Sequence, residues 1–279
     1  MVRLKSMLSV LINHYRSPVA LKLCLRSIRE TLAETPHEVI VSDSAAERET
    51  GRMLRSDFPE VHYLEFARNV GFAKLVNAGL RAAGGDPLLI LNADTVLIEN
   101  TAKTLAQFLQ AHPDVGMVGP RLEYQNGSHQ PSAFRFYTPA VIAARRTFFG
   151  RTPWGRRVLE RFMLRDILSE PIAAMAALPV DWLMGSAFMV RRKAAEEVGE
   201  LDERFFLYFE DVDWCRRFWE RGYKVMWFPS ARVVHVHAQA SRKRGALFDI
   251  MLNPLTRIHV TSAVKYFRKH GLATPHYGV

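Results

Sequence analysis

Glu210, Asp211 and Asp213 stand in the run FFLYFEDVDWC, beside Phe205, Phe206, Tyr208, Phe209 and Trp214. Ionised groups resist leaving water, so acids amid that much apolar surface are paired, metal-bound or catalytic. A helix N-terminus also gathers acids through its dipole, which accounts for such a cluster without any chemistry. A further acid, Asp94, lies just past the apolar run PLLIL in PLLILNADTVL. A carboxylate at a strand end can hold a hard divalent cation, with phosphate oxygens filling the remaining positions. A turn or helix cap is the plain alternative for a lone Asp there. The two acidic sites, far apart in the chain, point to an enzyme that handles a metal and a phosphate.

Other candidates are weaker singly. Asp43, in Val41-Ser42-Asp43-Ser44, could accept a base N–H or cap the helix that follows. Arg68 and Asn69 precede Gly71 in a loop where Arg can meet phosphate and glycine permits close backbone approach near a helix N-terminus. His235 and His237 alternate on VVHVH, so both point to one face, as metal ligands or merely as polar display.

The elements that must position these groups alternate along the first 120 residues. Short apolar runs at 7–13, 37–43, 61–66, 87–92 and 115–120 read as buried parallel strands. Between them, helical spacing is expected from Ser17-Pro18, over 46–56, 71–83 and 100–111. Such alternation argues for an α/β fold with a mostly parallel sheet flanked by helices. Ligands bind beyond the carboxyl ends of the strands in such sheets, where Asp43, Arg68-Asn69 and Asp94 all fall. Residues 121–175 give turn signals, 181–192 a loop leading into a strand, and 193–198 a short helix. A helix over 211–221 ends at Gly222, and YKVMWFP and ARVVHVH read as two strands joined by a turn at Pro229-Ser230. One catalytic domain over 1–240 with a helical extension over 241–279 is expected.

Cys24 and Cys215 have no metal-ligand spacing and read as reduced core thiols of a cytoplasmic protein. No signal peptide is convincing, and the apolar stretch 171–190 is interrupted by Pro179, Asp181 and Gly185. The net charge of +10 concentrates in seven arginines over 145–165 and in Arg242, Lys243 and Arg244. These patches suit phosphates. No nucleic-acid motif is present, which leaves an anionic membrane at the inner face of the cell as the favoured partner. The amphipathic stretch 246–270 could pack on the domain, form a homodimer or lie on a membrane, with packing as the default.

In combination, LSVLINHYRS, EVIVSDSA, ARNVGFAKLVNAGL, LLILNADTVL, the segment from Asp181 to Pro229 and VVHVHAQAS resemble the inverting family-2 glycosyltransferases of the GT-A fold. The likeness is to the rhamnosyltransferase-like branch and spans roughly 7–241. It implies a nucleoside-diphosphate sugar donor (dTDP-rhamnose or a UDP-sugar) and a glycan or lipid-linked acceptor in cell-surface polysaccharide synthesis. It implies that Asp43 binds the pyrimidine and that Arg68, Asn69 and Gly71 line the nucleotide site. Asn92-Ala93-Asp94 stands at the DxD-like motif, with Asn92 replacing its first acid and Asp94 binding Mg2+ or Mn2+. Asp211, of the Glu210-Asp211 pair, is then the general base. His235 is the metal-side histidine, with His237 as fallback, and Trp182, Gly185 and Ser186 lie on the acceptor side. The arginine-rich segment has no role in the likeness. A sugar nucleotidyltransferase is the rival enzyme, disfavoured by a first loop (13–18) without glycine. A non-catalytic carbohydrate- or membrane-binding module would need neither Asp94 nor the Glu210-Asp211 pair.

Overall fold

The computed structural model describes residues 7–168, 171–236, 254–273, 275, 277 and 278. His237 and the 242–244 basic group lie outside the described residues. The first half follows the expected alternation: β1 (Leu8–His14), α1 (Pro18–Thr31), β2 (His37–Ser44), α2 (Arg48–Asp57), β3 (His62–Phe66), α3 (Phe72–Ala82) and β4 (Leu88–Asn92). It continues through β5 (Thr95–Leu97), α4 (Thr101–Ala111) and β6 (Val115–Glu123). Short strands β7 (His129–Gln130) and β8 (Ala133–Phe134), then α5 (Pro139–Arg146) and α6 (Pro153–Phe162), lead to β9 (Leu178–Pro179) and β10 (Trp182–Leu183). The chain then forms β11 (Ala187–Val190), α7 (Arg192–Val198), α8 (Glu210–Glu220), β12 (Lys224–His235) and α9 (Pro254–His270).

The main sheet runs β3-β2-β1-β4-β11-β6-β12-β5, with β7 on β6 and β9 on β12. Its central strands are mostly apolar because both faces are covered, with polar residues chiefly at their carboxyl ends. Along β1 and its neighbours, Leu8, Val10, Ile12, Val41 and Leu91 face the side of α1 and α4. Leu11, Ile40 and Ile90 face α3, α8 and α9. Cys24 and Cys215 are buried in these layers, and desolvation pushes both thiols up from their ordinary range, as core residues should behave.

Three features differ from the expectation. β11 runs antiparallel to both β4 and β6, so the mostly parallel sheet is interrupted at its centre. KVMWFPSARVVH is one strand, not two: β12 stays paired with β6 on both sides of a bulge between Phe228 and Arg232. The bulge accommodates Pro229, which has no N–H for the ladder. The 121–175 segment holds two helices rather than turns alone. Thr138 and Thr152 cap them, each accepting from the third residue on, with Pro at the first helical position.

The C-terminal helix α9 packs on the domain, burying Thr256, His259, Ser262, Ala263 and Tyr266. Among the described residues no helix is long and apolar enough to cross a membrane.

Candidate active site

The strand ends converge because of register. His14 pairs with Asp43 across β1 and β2, and Asn13 pairs with Asn92 across β1 and β4. β11 enters antiparallel, so its start meets the end of β4 and Ser186 O accepts from Asn92 N (2.9 Å). A cleft of 530 Å3 lies over these ends, bounded by Asn13, His14, Tyr15, Asn69, Asn92 and Asp94 on the sheet side. Phe206, Leu207, Tyr208, Leu255 and Ile258 close the other side. That volume is within the usual range for a small-molecule site.

Asp94 and His235 come together, although 141 positions separate them in the chain. β5 pairs antiparallel with β12, setting Thr95 opposite His235, and Val236 N donates to Asp94 O (2.7 Å). His235 Nδ1 is 3.1 Å from Gln130 Oε1, which turns Nε2 toward Asp94 Oδ1 at 3.3 Å. A ring nitrogen fixed by its far partner is the usual preparation of a ligating histidine. Among the described residues no three His, Cys, Asp or Glu side chains form a metal cage. The pair Asp94–His235 therefore supplies two donors, and a cation here needs phosphate oxygens or water for the rest.

Glu210 and Asp211 begin α8, so the dipole reading of the acids is met. Asp211 Oδ2 accepts from Gly185 N (3.0 Å) and Oδ1 from Val212 N (2.9 Å). Burial pushes Asp211 up to about 6 against the lowering effect of those amides. Glu210 is raised well above its ordinary range by burial and then by the Asp211 charge, and its Oε2 has no hydrogen-bond partner among the described residues. Two buried carboxyls side by side resist being ionised together, which is why both are raised. Asp213 has a different task. Its carboxylate, fully buried, meets Arg217 (2.9 Å) on α8 and Lys269 and His270 (both 2.7 Å) on α9. It is a tether, not a reserve base.

The turn before α8 is strained. Tyr208 and Phe209 both lie in the left-handed region, at φ 68° and 71°, which costs about 1–3 kcal/mol each for such residues. Phe209 is held there by Tyr137 (ring centroids 4.6 Å), His259 (5.3 Å) and Tyr266 (5.4 Å), and Ser262 Oγ donates to Leu207 O. The C-terminal helix therefore fixes the direction in which Glu210 and Asp211 leave the turn.

Several expected site residues sit elsewhere than in contact with a ligand. Asp43 is fully buried behind the cleft, accepting from His14 Nδ1 (2.7 Å) and Tyr63 OH (2.6 Å). His14 Nε2 accepts from Ser17 N (3.0 Å), which fixes the tautomer, so Asp43 faces the cleft only through His14. Trp182 is buried at 5 % exposure, stacked on Phe134 (4.5 Å) and donating to Arg135 O. It supports the core and does not offer a face to a sugar. Gly71 lines the cleft, but its missing side chain makes room for the Phe206 carbonyl, which a Cβ would meet at 2.3 Å. Asn69 Oδ1 accepts from Gly71 N and Ser44 Oγ, shaping that loop. Arg68 is exposed on the loop after β3. Ser186 is buried, 3.5 Å from Asn92 Nδ2. The sequence reading overlooked His14, Tyr15, Phe206, Leu255 and Ile258. Only His14, polar at the end of an apolar strand, carried a local signal.

A model of glycosyl transferase family 2 matches residues 9–199, and the chain belongs to that family. It is 29 % identical over 224 residues to the N-acetylglucosaminyl-diphospho-decaprenol L-rhamnosyltransferase of Mycobacterium tuberculosis, covering 75 % of this chain and 69 % of that one. It is 22 % identical over 219 residues to the dTDP-rhamnosyl transferase RfbF of Shigella flexneri, covering 77 % and 66 %. The fold matches that of the mannosyltransferase PcManGT of Pyrobaculum calidifontis, solved with GDP-Man and Mn2+. The TM-score is 0.61 at 20 % identity, over 98 % of this chain and 66 % of that one. The protein is a glycosyltransferase with a GT-A-like architecture.

If Asp94 is a ligand and not a turn residue, Asp94→Ala should abolish the Mn2+ enhancement of nucleoside diphosphate binding. Calorimetric titration with and without Mn2+ reads this directly. His235→Ala should weaken it about 10–100-fold, the usual effect of losing a metal-site partner. Metal enhancement surviving in Asp94→Ala would assign that residue to the turn alone.

Proposed function

We propose that this chain transfers a sugar with inversion, rhamnose being favoured, from a nucleoside-diphosphate sugar to a hydroxyl of a glycan or lipid-linked glycan acceptor. The observation that carries this reading is Asp211, a carboxyl that burial pushes up to about 6, held by the Gly185 amide beside the buried Glu210. It occupies the first turn of α8, where the same strained segment walls the cleft with Phe206, Leu207 and Tyr208. Rhamnose is favoured because both curated relatives above are named as rhamnosyltransferases.

In this reading the donor lies across the strand ends, with its base against Tyr15 and the Asp43-braced His14. Asn69 and Asn92 line the same cleft. Asp94 and His235 would hold Mg2+ or Mn2+ against the diphosphate, where the cation supplies neutralisation of the charge that gathers on the leaving group. Asp211 takes the proton of the acceptor hydroxyl as its oxygen attacks the anomeric carbon from the face opposite the diphosphate. The C–O bond to the nucleoside diphosphate breaks as the new glycosidic bond forms, and the configuration inverts. The extra proton stays on Asp211 until solvent removes it.

A donor panel tests the assignment. With Mn2+ and a polyprenyl-diphosphate sugar acceptor, dTDP-rhamnose is expected to give nucleoside diphosphate and an inverted product linkage by NMR. Turnover only with UDP-sugars would replace rhamnose, retention of configuration would overturn the single displacement, and no release with any donor would favour a binding module.

A further inference from the structure

The arginine-rich segment is a helical hairpin whose tip is apolar. Phe148, Phe149 and Trp154 are 67 %, 45 % and 57 % exposed, and the two Phe rings stack at 4.4 Å. Around them the 145–165 segment carries seven arginines against Glu160 alone, with Asp166 just beyond it. Two of these arginines are engaged internally: Arg145 bonds the Tyr137 hydroxyl, and Arg161 faces Asp166 at 4.0 Å. Arg151, Arg156, Arg157 and Arg165 are exposed.

This exposure is built by packing. A Cβ at Gly155 would meet Phe149 O at 1.9 Å, and one at Gly150 would meet Ala144 O at 2.1 Å. The 3-10 turn over Phe148–Arg151 thus packs its backbone closely against α5 and α6, and Phe148 and Phe149 stay exposed. Thr147 and Thr152 cap the turn and the helix after it. Below the hairpin, Phe162 and Tyr137 join the core at Trp182, and Tyr137 packs on Phe209, next to Glu210. The apolar tip is therefore tied to the element that presents the base.

We infer that the α5–α6 hairpin is a membrane-docking surface, seating the protein on an anionic lipid bilayer through Phe148, Phe149 and Trp154 with the surrounding arginines. Large aromatic rings favour the headgroup boundary, where an apolar body and polar surroundings are both satisfied. Exposed arginines add attraction to anionic headgroups that salt screens. Neither part suffices for lasting attachment, and the two together supply the paired signal that stable peripheral binding needs. The surface goes beyond the transfer reaction and is tested without it.

The full chain is sedimented with phosphatidylcholine vesicles containing phosphatidylglycerol, and with phosphatidylcholine alone. Binding is expected only to the anionic vesicles and should be lost at high salt. The triple variant Phe148→Ser/Phe149→Ser/Trp154→Ser should bind at least about 10-fold more weakly, as expected for removing the apolar part of a two-part anchor. Arg151→Glu/Arg156→Glu/Arg157→Glu should lose binding as well. Both variants are expected to keep wild-type circular dichroism and nucleoside diphosphate affinity, since none of the six side chains reaches the cleft. Wild-type binding to neither vesicle, or undiminished binding by either variant, overturns the proposal. So does a dimer by ultracentrifugation that the aromatic variant dissociates without any vesicle effect, which would assign the tip to a second copy of the chain.

Discussion

Asp211→Asn is expected to lower sugar transfer by a factor on the order of 10²–10⁴, the usual contribution of a positioned general base. The amide keeps the shape and one acceptor oxygen for Gly185 N, so donor affinity should stay within a few-fold. Only the capacity to take a proton is lost. The same assignment fixes a pH profile. Burial raises Asp211 to about 6, so the group is proton-loaded and inactive below that pH and competent above it. Transfer by the wild-type chain should therefore fall as pH drops through about 6, and the residual rate of Asp211→Asn should lack that limb. Burial and the Asp211 charge raise Glu210 well above its ordinary range, and Glu210→Gln should retain most turnover. A nearly normal rate for Asp211→Asn together with a collapse for Glu210→Gln would exchange the two roles.

The second large effect is on stability. Asp213→Asn removes a fully buried charge that Arg217, Lys269 and His270 share. Breaking one partner of a buried ion pair costs about 3–5 kcal/mol, and the low end is expected here because Lys269 keeps Asp202 and His270 keeps Glu220 as partners. The loss should appear in denaturant unfolding as a lower midpoint with little change of slope. It should also weaken donor binding, since α9 carries Leu255 and Ile258 into the cleft and Tyr266 against the strained turn. The sign with pH follows from the carboxylate. Burial raises Asp213, but His270, Arg217 and Lys269 outweigh burial and hold it below the ordinary aspartate range. Its stabilisation is thus complete above that range and is lost as pH falls through the depressed value, so the gap between wild type and variant should narrow in acid. An unchanged midpoint would show that α9 is held by its apolar face alone.

Much of the architecture was legible in the sequence because its signals are local. The runs LSVLIN, EVIVSD and LLILN are mostly apolar, as strands covered on both faces must be, with their polar residues gathered mainly at the carboxyl ends, and the helices between them repeat at their own period. That alternation alone places Asp43, Asn69 and Asp94 at one end of the sheet. The Glu210-Asp211 pair was visible because acids among aromatics are rare without a cause. Thr-Pro at 138–139 and 152–153 also marked both helices of the arginine-rich hairpin, although the surrounding turn signals concealed them.

What the tertiary structure decided depends on pairing between distant segments, which no local pattern encodes. The antiparallel entry of β11 sets Ser186 beside Asn92 and leads the Gly185 amide to Asp211. The register of β5 on β12 brings Asp94 to His235. The surroundings separated the three acids of one helical turn: Glu210 and Asp211 lie side by side near the Gly185 amide, and Asp213 is tied to the C-terminal helix. Burial likewise withdrew Trp182 into the core and Asp43 behind His14, because a residue type states what a side chain can do, while its surroundings decide whether a ligand can reach it.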